Sequence, residues 1–420
     1  MYICSHFSIS VKHRRTSKMN TQKLKFPSII LFAITILLGA SCGTKKEQLK
    51  DFKEVMKLEN IEYTFINMDE YFPSKIVEKA DQAFVFPQTQ NVQLPESFNS
   101  NEVNYNTQKF LDSSYAQGLI LIQNDTIQYE NYWRGQTEAV KHISWSMSKS
   151  YVSALFGIAM EEGFIESVEQ TVDEYLPELK GSGYEGVKIK DVLQMSTGVG
   201  FDETYSDPNA DINRYWDDFG NGKSQDEFAA SLKNEIEPGT FNHYVSINTH
   251  VLGMIIVKAT GKSLTQYLEE KIWKPIGAEH NAYWIADGKG MEMALGGLNA
   301  TLRDYAKLGR LYLNKGNWNG KQIIPESWIE ASTNSTEEHL QANSENSSSP
   351  SFGYGYQWWI PDGDQGEIMA IGVFNQYIYI NPTTNTVIVK NSANKNYYES
   401  SNSYASTTTH LEFFRELGGV

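Results

Sequence analysis

The sequence is nearly free of cysteine: Cys4 and Cys42 are the only two in 420 residues. A chain processed beyond Cys42 carries no disulfide, no thiolate nucleophile and no cysteine metal site, so packing alone must hold it together. Clustered positive charge is missing too, with 36 Lys and Arg against 51 Asp and Glu, a net charge of −15, and no basic stripe after residue 50. Phosphate binding draws on such clusters, so nucleic acid is excluded as a partner. The 8 histidines show neither H-E-x-x-H nor any paired-ligand spacing, and neither a metal nor another cofactor is expected. Long apolar runs are scarce. The one near the start, "FPSIILFAITILLGASCG", is too short for a comfortable membrane span.

That run follows Lys23 and Lys25 and ends in small residues at Cys42, the form of a secretion signal. Residues 1–42 read as a signal peptide whose end resembles a bacterial lipobox, although Gly39 stands where Leu is commoner. Lipid on Cys42 would anchor the chain to a membrane, and plain cleavage near Ser41 is the alternative. Met19 offers a second start. The expectation is export to the periplasm or cell envelope as a membrane-anchored lipoprotein. The oligomeric state is left open.

What is present is a globular composition, 40% apolar and 13% aromatic, and a length that suits one large body with an inserted lobe. Residues 43–108 are Pro-punctuated with little helical period and read as an N-terminal extension wrapping a main body at 109–420. "GLILIQ", Asn124-Asp125 and "TIQYENYW" predict a β-hairpin about a tight turn. Val152, Leu155, Phe156, Ala159 and Met160 follow the stripe of a buried helix, with Gly163 as its stop. Residues of about 164–300 suit an inserted, mostly helical lobe, with helices near 246–260 and 263–273. "STNSTEEHLQANSENSSSPS" reads as a solvated linker. A second hairpin, "QYIYI" to "TVIVK", and a helix around "THLEFFRELG" close the chain. Strands at both ends with helices between them predict an α/β fold with non-local pairing.

The chemistry centres on "SWSMSKS", where Ser146 and Lys149 lie three apart. On a helix that spacing puts both side chains on one face. A serine hydroxyl is a poor nucleophile until a base takes its proton, and a desolvated lysine can be that base. The bland alternative is a solvated lysine at a helix end. S-x-x-K alone is weak, because "SANK" at Ser392 to Lys395 has the same spacing in a polar run with no apolar helix behind it. Ser146 differs in its context, a hairpin before it and a buried helix after it.

Several segments then recur in order: "SWSMSKSYVSALFGIAMEEGFI", "VDEYLPEL", "IKDVLQMSTGV", "FNHYVSINTHVLGMIIVKATGKSLTQYL", "GGLNATLRDYAKLGRLYLNKGNWNG" and "YGYQWW". Together they resemble the serine β-lactamase-like superfamily of class C β-lactamases, D-Ala-D-Ala peptidases, esterases and 6-aminohexanoate-dimer hydrolases, the last branch above all. The likeness spans roughly residues 60–418. It implies a β-lactamase/transpeptidase-like α/β fold, an antiparallel sheet flanked by helices with an inserted, mostly helical lobe.

The resemblance also implies roles. Tyr244 and Ser246, as "YVS", match the family's second motif, with Tyr244 relaying protons between Ser146 and the leaving group. A phenol beside a lysine ammonium is expected to ionise more easily than a free one; a packed core tyrosine is the alternative. Ala370-Ile371-Gly372 stands where the family carries K-T-G or H-x-G, so the carboxylate-holding cation is missing. That departure argues against efficient β-lactam or D-Ala-D-Ala turnover. Gly372 still allows close backbone approach, and the N–H groups of Ser146 and Val373 would form an oxyanion hole. Tyr205 is expected to reach the leaving amine. Asn299 is read either as pocket-lining or as structural, and Trp216, Trp284, Trp358 and Phe374 either as pocket walls or as core.

The reading is therefore a secreted serine hydrolase acting on a small ester or amide through Ser146, Lys149 and Tyr244. Two alternatives stand beside it: a β-lactamase or D-Ala-D-Ala carboxypeptidase, and a non-catalytic envelope protein that keeps the fold for binding.

Overall fold

The computed structural model describes residues 52–399 and 405–419; the signal-like run and Cys42 lie outside them. Among the described residues no helix is long and apolar enough to cross a membrane.

The first hairpin forms as its turn chemistry dictates. Asn124 (φ 51°) and Asp125 (φ 60°) both take the left-handed conformation that a two-residue primed turn requires. They join the strands Ala116–Gln123 and Thr126–Tyr132. The Asp125 carboxylate also accepts two hydrogen bonds from Arg310 at 2.8 and 2.7 Å, tying the turn to the helix Leu302–Leu313.

These strands are one edge of a seven-stranded antiparallel sheet. From the other edge its order is Phe352–Tyr354, Trp359–Pro361, Ile368–Gly372, Gln376–Asn381, Thr386–Ser392, Ala116–Gln123, Thr126–Tyr132. The early strand Ala116–Gln123 pairs with the late strand Thr386–Ser392 in continuous register from Gln123↔Thr386 to Gly118↔Asn391, which is the non-local pairing expected. Side chains alternate across the sheet. Leu119 and Leu121 join Phe110, Phe413 and Phe414 under the C-terminal helix Thr407–Gly418. Ile120 and Ile122 face the larger core with Leu308 and Leu311 of the helix Leu302–Leu313.

The helix Ser148–Glu161 is buried from Ser148 to Ala159, so it is a central helix sealed on all sides rather than an amphipathic one. Gly163 (φ 76°) ends it as expected. The helix Ser246–Thr260 packs against it. A shorter helix, Leu264–Leu268, continues as a π-turn over Glu269–Trp273.

Two expectations are corrected. Residues 52–108 are not merely extended. They hold the short helices Phe52–Val55 and Ile61–Thr64, and the strand Ser74–Val77 pairs with Ala282–Ile285. Leu298–Ala300 and His142–Ile143 complete that four-stranded sheet. Its strands are too short for a period-2 pattern to register. The mostly helical stretch consequently ends before Ala282 and does not run to 300.

Candidate active site

A cavity of about 770 Å³ opens between the sheet and the helical lobe, with Ser146 on its wall. Ser146 sits in the single 3₁₀ turn Trp145–Met147 that leads into the helix Ser148–Glu161. Trp145 holds φ 45°, a conformation that a bulky residue adopts only when its surroundings enforce it. The enforcement is aromatic. Its indole packs edge-on to Phe65 at 5.2 Å and Trp216 at 5.6 Å, and tilted against Phe374 at 6.2 Å.

Of the four serines in "SWSMSKS", only Ser146 faces the cavity; the others pin the turn. Ser144 Oγ donates to Trp145 O at 3.0 Å, so Ser148 must be the donor in the 2.6 Å contact between their hydroxyls. Ser148 Oγ in turn accepts from Leu298 N at 3.1 Å, and Ser150 Oγ donates to Gln357 O at 2.8 Å.

Lys149 is 2% exposed. Its Nζ contacts Leu295 O at 2.9 Å, Ser146 Oγ at 3.0 Å and Ser246 Oγ at 3.3 Å. Burial pushes its ammonium down to about 7, against the opposing pull of the Glu203 carboxylate. A neutral amine keeps two N–H groups and one lone pair. With the hydrogens directed at Leu295 O and Ser246 Oγ, the lone pair is left for the Ser146 hydroxyl.

Tyr244 completes the cluster. Its hydroxyl lies near Ser146, its ring lies 5.2 Å from Lys149 Nζ, and it stacks on Trp359 at 5.3 Å. The expectation of an acidified phenol is overturned. Burial and the nearby Glu203 carboxylate raise Tyr244 well above its ordinary value, outweighing the lowering influence of the Ser146 hydroxyl. At neutral pH it is a phenol able to pass a proton, not a phenolate able to seize one.

Glu203 is the member that sequence reading missed. Its Oε1 accepts from Ser246 N at 2.6 Å, and it lies near Tyr205. Burial raises its carboxyl, against the pull of Lys149. The only available signal was its place two residues before Tyr205.

The other candidate residues divide. Tyr205 lines the cavity, stacked on Tyr398 at 5.6 Å, and Ser246 touches Lys149. Val373 lines the cavity in the turn between Ile368–Gly372 and Gln376–Asn381. Gly372 lies behind it, where a Cβ would stand 2.5 Å from Ser144 O and 3.0 Å from Gln376 Cβ; its bareness lets the sheet approach the nucleophile turn. Asn299 does not reach the cavity. It is buried in Leu298–Ala300, with Nδ2 on Gly297 O at 2.9 Å, because its strand is interior to the small sheet. Trp216, Trp284, Trp358 and Phe374 are all core residues, while Trp359, Tyr397 and Ile371 form the wall. Neighbouring residues of an extended chain face opposite ways. Trp359 therefore faces in where Trp358 does not, and Ile371 where Ala370 does not. The supposed linker also contributes, since Ser348 to Phe352 line the cavity. Among the described residues no group of His, Cys, Asp or Glu is arranged to hold a metal ion.

A serine at the entrance of a central helix, contacted by a buried lysine with a tyrosine nearby in a cleft between sheet and lobe, suits a serine hydrolase. The family model described as Beta-lactamase matches residues 115–410. The chain belongs to that family. It is 30% identical over 288 residues to the 6-aminohexanoate-dimer hydrolase of Paenarthrobacter ureafaciens, spanning 67% of this chain and 73% of that one. A Bacillus anthracis structure provisionally described as a 6-aminohexanoate-dimer hydrolase superposes with a TM-score of 0.78 at 28% identity, covering 89% of this chain and 97% of the other. A class C β-lactamase shares the fold at a TM-score of 0.52 and 17% identity, over 74% and 92% of the two chains.

Proposed function

We propose that the protein is an exported, lipid-anchored serine hydrolase that cleaves an ester or amide through an acyl-enzyme on Ser146. The observation that carries the proposal is the buried Lys149 amine 3.0 Å from Ser146 Oγ, its ammonium brought down to about 7. Neutral Lys149 takes the Ser146 proton as the oxygen attacks the scissile carbonyl. The backbone N–H groups of Ser146 and Val373 receive the oxyanion. Tyr244 passes the proton to the leaving group, which departs as an alcohol or amine, and the same groups activate the water that frees the acid.

The walls favour a substrate without a carboxylate near the reacting bond. Asp202, Glu203 and His243 line the cavity, and among the described residues no Lys or Arg lines it. A β-lactam or D-Ala-D-Ala peptide would bring its carboxylate to a site with no cation to meet it, consistent with Ala370-Ile371-Gly372 in place of the family's cationic motif.

The test is a fluorophosphonate probe on the wild type and Ser146→Ala, together with a panel of p-nitrophenyl esters, short linear amides and nitrocefin. Labelling of the wild type alone, with ester or amide turnover, is expected. Equal labelling of both proteins ends the proposal, and nitrocefin turnover exceeding that of every ester and amide replaces it with a β-lactamase. Radiolabelled palmitate incorporated into the full chain, and not into Cys42→Ala, tests the anchor.

A further inference from the structure

The polar stretch expected to be a linker is built into the site, and its attachment is specific. Asn343 N donates to Pro350 O at 2.5 Å, which closes residues 343–350 into a loop whose last residues, Ser348 to Pro350, line the cavity together with the adjoining Ser351. Asn343 Nδ2 donates to Asp362 Oδ2 at 3.2 Å, and a second residue outside the loop holds it at three further points. Asn242, 2% exposed, donates from its backbone N to Asn346 O at 2.9 Å and accepts at its backbone O from Ser348 N at 2.9 Å. Its Oδ1 accepts from Ser347 Oγ at 3.2 Å, and its Nδ2 donates to Gln194 O at 2.9 Å. Ser347 Oγ also accepts from Ser349 N at 3.1 Å. The backbone and side chain of Asn242 are thus spent on joining the loop to the lobe, two residues before Tyr244.

We propose that the 343–350 loop, with Ser351 beside it, is the wall that reads the substrate beyond its scissile bond, and that Asn242 is the positioning residue that registers this wall against Tyr244. Hydroxyls both donate and accept. Ser348, Ser349 and Ser351 therefore suit amide or hydroxyl groups carried some atoms from the reacting carbonyl, which sit poorly with a purely hydrocarbon chain. The loop's own bonds leave it in place without substrate, so the effect of Asn242 belongs in KM and not in the chemical step. The inference rests on the serine-hydrolase reading and adds the polar character of the distal substrate.

The experiment compares p-nitrophenyl acetate with a linear depsipeptide, acetylglycylglycylglycolylglycinamide, which carries amides on both sides of its ester. The wild type should show the lower KM for the depsipeptide. Asn242→Ala should raise that KM by about tenfold, with kcat and the acetate KM moving by less than about threefold, as expected when buried hydrogen bonds that position a binding wall are lost. Ser347→Ala, which removes the bonds to Asn242 Oδ1 and Ser349 N but leaves Asn242 anchored on Gln194 O, should move the same KM in the same direction by less. A depsipeptide KM no lower than that of the acetate, or equal KM changes for the two substrates, overturns the inference. So does a loss confined to kcat. Fluorophosphonate labelling of the wild type separates the failures: with labelling and no KM split only the loop assignment falls, and without labelling the hydrolase reading falls first.

Discussion

Lys149 Nζ lies 3.0 Å from Ser146 Oγ, and the bond is meaningful because the lysine is shut away from water. An exposed ammonium at that distance would hold its proton near pH 10 and could not act as a base. Burial brings the ammonium down to about 7, so the fraction of neutral amine changes across the neutral range. Activity should therefore rise with pH along a single limb centred near 7 and level off above it. The kcat/KM of p-nitrophenyl acetate measured from pH 5.5 to 9 reports this directly. Lys149→Ala should erase the limb and lower the plateau by several orders of magnitude. A wild-type profile flat over that range would reject Lys149 as the base.

Glu203 sets where that limb falls. Its negative charge draws the Lys149 ammonium upward, against burial. Glu203→Gln removes the charge and keeps a carbonyl to accept from Ser246 N, so the lysine should lose its proton more readily. The limb should move to lower pH by about one unit, the usual scale for a nearby opposite charge. A shift to higher pH, or none, would mean that the carboxyl is protonated at rest and contributes only its hydrogen bonds.

How much of this was legible depended on whether the signal was local. The Asn124-Asp125 turn, the helix ending at Gly163 and the pair Ser146 and Lys149 are set by neighbours a few residues apart, and each was readable. Facing was less so. Ala370 and Ile371, or Trp358 and Trp359, are adjacent, and without the strand register nothing in the letters says which one meets the cavity. Glu203, the 343–350 loop and the small sheet were hidden for a different reason. Each depends on contacts between segments far apart in the chain, such as Ile143 N to Phe65 O at 2.9 Å or Asn242 N to Asn346 O at 2.9 Å. Polar loops in particular look alike whether they are solvated or built into a wall.

Gly372 offers a steric test of the same site. A methyl group there would stand 2.5 Å from the Ser144 carbonyl oxygen, a backbone atom of the residue that precedes the nucleophile turn. The Ile368–Gly372 strand or the turn must shift. Gly372→Ala should cost about 1–3 kcal/mol, the range for forced overpacking, and lower kcat more than it raises KM, because Val373 moves away from Ser146 together. Urea unfolding and steady-state kinetics on one preparation measure both. Full activity with an unchanged midpoint would show that the sheet and the nucleophile turn are not in such close contact.

Stability should respond to acid through buried histidines. His410 is fully buried, with its ring stacked on Tyr377 at 4.7 Å and tilted against Phe110 at 4.7 Å. Its Nδ1–H donates to Ser406 O at 2.9 Å, while Nε2 has no partner among the described residues. A proton on Nε2 would find no acceptor, and burial, with the Lys390 charge adding to it, holds the imidazole well below its ordinary value of 6.5. His142 is shifted the same way, down to about 4, chiefly by burial. Above pH 6.5 both rings are neutral in the folded and unfolded chains and impose no pH dependence. Below it the unfolded chain binds protons that the folded one refuses, so stability falls with pH by up to about 1.4 kcal/mol per unit for each ring. Urea midpoints should therefore drop between pH 7 and pH 5. His410→Phe, which keeps the aromatic packing, should remove only part of that drop, because burial lowers His243 and His339 as well, at some cost in stability at pH 7, where the bond to Ser406 O is lost. A variant with the full wild-type slope would show that water reaches the ring and that the cage around His410 is open.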